Sequence, residues 1–101
     1  MQYLGPLRGA GMLVNASGSL GRVDYELDAY LRRPGEVVAS GEIRMTAQEL
    51  NAVFGRNDLS LKTDDGKCMG IRFSGKQLSA TSDVAHADIS GGLPPAEAWR
   101  R

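Results

Sequence analysis

The sequence has one cysteine, Cys68, among its 101 residues. A single thiol excludes an internal disulfide framework, and it excludes zinc or iron–sulfur sites built from several cysteines. Aromatic residues make up only 6% of the chain, which leaves little material for a surface that stacks nucleic-acid bases. The free thiol fits a reducing compartment.

The chain also has no net charge, because 12 lysine and arginine residues match 12 aspartate and glutamate residues. Proteins that bind nucleic acid or anionic membranes usually gather them with an excess of positive charge. That long-range field is missing here. We therefore expect nucleic acid to be a less favoured partner than a protein or a small ligand.

Long apolar runs are absent as well. No stretch approaches the about 20 apolar residues of a membrane span, and the amino end lacks the basic region and the about 7–15 apolar residues of a secretory signal. We therefore expect a cytoplasmic protein with no membrane partner. In having little motif beyond its fold, the chain is similar to many short bacterial domains.

The length fits one domain, because a chain of 101 residues can bury about 60–70% of its unfolded surface around one core. We see no internal repeat and no linker able to separate domains. We predict a single domain over residues 1–101, with its core in about 9–92 and a tail in 93–101.

Two segments, 23–32 and 36–45, alternate apolar and polar residues with the period of half-buried strands. In each segment the set of apolar residues on one side carries odd numbers, so a turn with an odd number of residues or a bulge must connect the two segments. We predict a five-residue turn over 32–36 that contains Pro34. The register then sets Leu27 opposite Gly41 and Glu26 opposite Glu42.

Further turns predict the remaining strands. Asp64, Asp65 and a left-handed Gly66 join 59–63 to 67–73, which sets Leu61 opposite Met69. A two-residue turn within 74–77 pairs Phe73 with Leu78. A turn at Ser17 and Gly18 pairs Met12 with Val23, and a last strand over about 85–90 carries its apolar residues inward, namely Ala85, Ala87 and Ile89.

Between the hairpins, residues 46–55 carry the signals of one short helix. Thr46 and Glu49 have capping-box spacing, and Gly55 terminates the segment. The fold class is therefore mainly β: a small antiparallel barrel or curved sandwich of six or seven strands, with one short α-helix between the third and fourth strands.

The outer side of the first hairpin gives the candidate binding residues, Glu26, Glu42 and Arg44. Facing like charges destabilise a sheet unless something compensates them. Arg44 and Arg22 are candidates for that role, as are a cation and the basic group of a partner. The alternative is a solvated face whose side chains splay apart.

Other chemistry-bearing residues form no motif. His86 shares a strand face with Asp88 and lies near Asp83, but one histidine and two carboxylates do not specify a metal or catalytic site. Cys68 lies beside Lys62 with no placeable base, and we interpret it as an inert thiol. Trp99 either anchors a partner or folds back onto the core. We predict no catalytic residue, metal or cofactor.

Three classes of function are compatible with these features. A non-catalytic protein-interaction or small-ligand-binding module fits best, because compact β domains without catalytic constellations act through edges, loops or an open barrel end. The alternative is an OB-like binder of single-stranded nucleic acid or oligosaccharide, since three strands, a helix and further strands follow the element order of the OB-fold. An enzyme is the third class and would need a concave pocket around Glu26 and Glu42, or around Asp83, His86 and Asp88.

Overall fold

A computed structural model of the chain describes residues 2–33, 35–75, 77–95 and 98–99. Pro34 and Lys76, which lie in two of the predicted turns, are outside these ranges. The two arginines that follow Trp99 are outside them as well. The secondary-structure elements, in chain order, are β1 (Gln2–Asn15), β2 (Gly18–Arg33), β3 (Glu36–Arg44), α1 (Ala47–Val53), β4 (Leu59–Thr63), β5 (Cys68–Phe73) and β6 (Val84–Gly91).

The six strands form one antiparallel sheet that closes into a barrel in the order β1-β2-β3-β6-β5-β4. Two three-stranded meanders, β1 to β3 and β4 to β6, are connected by the helix. They meet along two seams, where β1 pairs with β4 and β3 pairs with β6. The predicted fold class is confirmed. The barrel has six strands, whereas the OB-fold has about five, so the analogy stops at the order of elements.

The predicted register of the first hairpin is confirmed, with Leu27 opposite Gly41 and Tyr25 opposite Ile43. The five-residue turn is wrong in its length, because pairing continues to Arg33 and Glu36. A register shift between Leu31 and Arg33 supplies the odd residue instead, which is the bulge that parity left open.

The β4–β5 hairpin also pairs as predicted, with Leu61 opposite Met69. Gly66 adopts a positive φ of 98° in its turn. The helix begins after Thr46, whose hydroxyl accepts from the backbone N–H of Glu49 at 3.3 Å. In β6, the three predicted apolar residues, Ala85, Ala87 and Ile89, are buried.

Two predicted pairings are wrong. Phe73 pairs with Ala87 of β6 rather than with Leu78, because serine and threonine residues between 79 and 82 bond to one another and hold a local turn. In the first hairpin of the chain, Gly11 rather than Met12 lies opposite Val23. The turn lies at Ala16 and Ser17 rather than at Ser17 and Gly18, because Asn15 already pairs with Gly18. A register shift between Leu13 and Val14 then sets Gly11 opposite Val23, and Leu13 is buried.

The barrel interior is filled by apolar side chains from every strand and from the helix. A barrel of about eight strands has an interior just wide enough for side chains to fill, so six strands enclose less space still. The largest fully buried side chains are Leu13, Leu27, Ile43, Leu50, Leu61, Met69 and Ile71. Recognition of a partner must therefore use the outside of the barrel.

In the part of the chain that the structure describes, no helix is long and apolar enough to cross a membrane.

Candidate functional site: the acidic face of the first hairpin

The outward residues of β2 and β3 form a surface that we call the acidic face, made of Asp24, Glu26, Asp28 and Glu42. Its side chains point outward because the strands alternate, and their inward neighbours are buried. All four residues are exposed. The register sets Glu26 directly opposite Glu42 and Asp24 opposite Arg44. The three candidate binding residues therefore lie together.

The Glu26 and Glu42 pair receives little compensation from nearby cations. Arg8 of β1 lies opposite Glu26, and its Nε is 4.0 Å from Glu26 Oε1. Both side chains are about two-thirds exposed, at 67% and 69%, so solvent screens most of this attraction. For Glu42, the described residues provide no ion pair and no hydrogen bond from a side chain.

The two arginines expected to compensate the pair are engaged elsewhere. Arg44 Nη1 lies 3.7 Å from Asp83 Oδ2, in the segment before β6. Arg22 forms a bidentate contact with Asp64 at 2.8 and 2.7 Å. The Arg22 guanidinium lowers the pKa of Asp64, and the Asp64 carboxylate raises the pKa of Arg22. Arg44 thus borders the acidic face without neutralising it.

On the far side of Glu42, β6 places His86 opposite it in the register. One row across the outer surface therefore reads Arg8, Glu26, Glu42 and His86 over four neighbouring strands. Sequence reasoning missed Arg8 because it did not extend the first strand back beyond residue 9. It missed the His86 contact because strand order is not readable from local pattern.

The depressions on the acidic face are shallow. One of about 50 Å³ lies between Asp24 and Val84 beside the glutamate pair, and another of about 180 Å³ lies beside Arg8 and Gly41. Both are smaller than the about 300–1,000 Å³ typical of small-molecule sites. A larger open groove of about 670 Å³ adjoins the face at the helix end and includes Arg22, Arg44 and Thr81 among its lining residues.

The remaining candidates are dispersed. Asp83 contacts Arg44, while Asp88 lies opposite Ser40 and Arg72. Among the described residues, no group of three histidine, cysteine or acidic side chains is arranged to hold a metal ion. Cys68 is exposed and pairs in register with Lys62. These residues do not form a second site with the acidic face.

Trp99 folds back onto the barrel instead of projecting from it. Its ring is half-buried and packs against the hydrophobic core, and its indole N–H donates to the carbonyl oxygen of Pro94 at 3.3 Å. The ring lies against Gly5 of β1. Of the two roles that the sequence left open for Trp99, the structure shows packing on the core.

Comparison of the chain with protein-family models, with curated proteins and with solved structures finds no significant match. Function is therefore inferred from the geometry.

Proposed function

We propose that this domain is a non-catalytic protein-interaction module of the cytoplasm, and that its acidic face docks a basic segment of a partner protein. The observation that supports this proposal is the direct opposition of Glu26 and Glu42 on neighbouring strands. Like charges in that arrangement work against the sheet. A lysine or arginine of the partner, placed between the two carboxylates, would replace their repulsion with charge-assisted hydrogen bonds.

The exposure of the face determines what kind of binding to expect. Because the carboxylates are solvated, each contact is modest in energy and is screened by salt. Complementary charge at such a surface mainly increases the association rate and selects the partner. The module should therefore bind basic segments quickly and reversibly, with a strong dependence on ionic strength.

The filled interior supports a surface role over a buried ligand site. Leu27 and Ile43 occupy the barrel directly beneath the acidic face. The depressions outside it are open to solvent and lack walls that would enclose a small molecule or exclude water from a reaction. A flat, charged surface suits a protein segment better than it suits a small ligand.

The nucleic-acid alternative has one feature in its favour, an aromatic pair on the outside of β1 and β2. Tyr3 and Tyr30 pack edge to face with ring centroids 5.3 Å apart. The Tyr3 hydroxyl, however, donates to Asp28 at 2.9 Å, so these rings lie beside the acidic face. Carboxylates repel the phosphates that a single-stranded nucleic acid would bring with its bases.

A binding titration tests the proposal. We expect a fluorescein-labelled peptide of four Arg-Ser repeats to bind the protein at low salt. The combined Glu26→Gln and Glu42→Gln variant should weaken binding by about tenfold or more, as expected when a charge pair at an interface is lost. The same variant should unfold at slightly higher urea, because the facing repulsion is removed from the free protein.

Asp58→Asn, which removes one negative charge just before β4 and away from the acidic face, is the matched control for Glu42→Gln alone, which also removes one. It should leave peptide affinity nearly unchanged. Equal weakening by Asp58→Asn would reduce the effect to net charge and contradict a defined docking face. Tighter, salt-sensitive binding of a single-stranded oligothymidine than of the peptide would favour the OB-like alternative.

A further inference from the structure

The second feature of interest is an open edge on β3. This strand pairs with β2 along its whole length, from Glu36 to Arg44. Its pairing with β6 on the other side begins only at Ser40. Among the described residues, the segment 36–39 therefore has no strand neighbour on that side. Unpaired edges of this kind accept an additional strand readily.

Alternation along β3 identifies the backbone groups at this edge. The N–H of Met45, just after β3, donates to the carbonyl of Asp83 at 3.0 Å, on the β6 side. Backbone groups of a strand point alternately to its two neighbours, and the register shift in this hairpin lies on β2. The amide and carbonyl groups of Val37 and the amide of Ala39 therefore point to the β6 side of β3, beyond the last residue that pairs with β6.

A groove exists there because β6 turns toward β5 at its end. Ile89 pairs with Ile71, and a register shift follows before Gly91 pairs with Gly70. Gly92 then adopts a φ of +84°, with its backbone so close to Cys68 that an added Cβ would lie 2.5 Å from the Cys68 carbonyl oxygen. The chain is held against β5, and a groove of about 430 Å³ separates residues 36–38 from residues 89–95.

The barrel has another incompletely paired edge, on β1, but that edge is protected. β4 covers only residues 11–14 of β1. The rest of β1 contains Pro6 and a register shift between Tyr3 and Gly5, and Trp99 packs beside Gly5. Prolines, irregularities and covering segments are the usual means of blocking strand addition. Residues 36–39 contain none of these features.

The groove indicates the chemistry of its occupant. Its lining combines apolar side chains, Val37, Val38, Ile89 and Leu93 among them, with charged side chains and exposed polar groups. At its mouth, the Glu36 carboxylate accepts hydrogen bonds from both Arg32 and Arg33, at 2.6 and 2.7 Å. Two guanidinium groups against one carboxylate leave one positive charge uncompensated. An acidic group on the occupant of the groove would complement that charge.

We propose that the β3 edge receives an extended segment of a partner protein by strand addition. The segment carries β-branched apolar residues at alternate positions and a carboxylate at the end that meets Arg32. Main-chain hydrogen bonds supply affinity, and the apolar side chains within the lining select the side chains of the segment. This inference does not depend on the acidic face and concerns a separate surface with the opposite preference for charge.

Fluorescence anisotropy with a labelled peptide, Gly-Thr-Val-Thr-Val-Thr-Asp, tests this proposal on the full chain. We expect it to bind. The same peptide with both valines N-methylated keeps its side chains but loses two amide donors, and it should bind about tenfold more weakly or worse. Equal binding of the two peptides, or no binding of the first, would overturn strand addition.

Gly91→Leu narrows the groove without straining the fold, because an added Cβ at Gly91 meets no atom within 4 Å and its φ is not positive. We expect this variant to weaken binding of the valine peptide by about tenfold, whereas Gly91→Ala and Glu42→Gln should leave it unchanged. A protein dimer that Gly91→Leu dissociates would overturn the proposal, since the occupant would then be a second copy of this chain.

Discussion

At the scale of single residues, the geometry of the acidic face depends on Gly41. This residue lies opposite Leu27, immediately before Glu42. A Cβ on Gly41 would lie 2.1 Å from the carbonyl oxygen of Glu26 and 2.8 Å from the Cα of Leu27. The absence of a side chain therefore lets β3 pass close over β2 at this point. Glycines in strands commonly mark such close approaches.

We expect Gly41→Ala to destabilise the protein by about 1–3 kcal/mol or more, the cost of forcing extra atoms into a packed site. The clash is with backbone, which cannot rotate away as a side chain can. Urea unfolding followed by circular dichroism measures the change. Gly91→Ala is the matched control, since its Cβ meets no atom within 4 Å. Similar stability of the two variants would show that the approach of β3 to β2 is not tight.

At the scale of elements, local patterns predicted the hairpins that have regular strands. The matching odd numbering of the apolar residues in β2 and β3 predicted the pairing of Glu26 with Glu42. That prediction is correct because the register is unbroken from Asp24 to Leu31 of β2. The acidic face could therefore be predicted from sequence. The predicted pairing of Met12 with Val23 was wrong, because the turn lies at Ala16 and Ser17 and a register shift follows between Leu13 and Val14. Nothing in the local pattern marks that shift.

The β2–β3 turn also carries a carboxyl group with a strongly lowered pKa. Hydrogen bonds from Arg32 and then from Arg33 lower the pKa of Glu36 from 4.5 to about 2. The folded state thus binds the proton less tightly than the unfolded chain. Glu36 stabilises the fold above pH 4.5, and this contribution is lost as the pH falls toward about 2.

We expect Glu36→Gln to be less stable than the native protein at pH 6 and to approach its stability at pH 2. Solvent exposure keeps the effect modest, and about 1 M salt should reduce it, because the Debye length falls to about 3 Å. Urea midpoints at the two pH values measure the difference. Glu42→Gln, which relieves a repulsion, should show no loss at pH 6. A constant deficit of Glu36→Gln across the range would contradict a charge-based role.

At the scale of the whole molecule, the barrel depends on two short seams between its meanders. β1 meets β4 over residues 11–14, and β3 meets β6 over residues 40–44. These contacts join segments far apart in sequence, so no local turn could predict them. They bring Arg8 and His86 to the two ends of the row that contains Glu26 and Glu42. The neighbours of the site therefore required the structure.

The single tryptophan, Trp99, packs beside Gly5 of β1. Because this packing joins the two ends of the chain, we expect the tail to unfold together with the barrel. The emission of Trp99 and the far-ultraviolet circular dichroism should then have the same urea midpoint, as in a two-state transition. Trp99→Ala should lower the free energy of unfolding by less than the about 3–5 kcal/mol cost of removing a fully buried tryptophan, since its ring is half-buried. A tryptophan transition at distinctly lower urea would show that the tail detaches before the barrel opens.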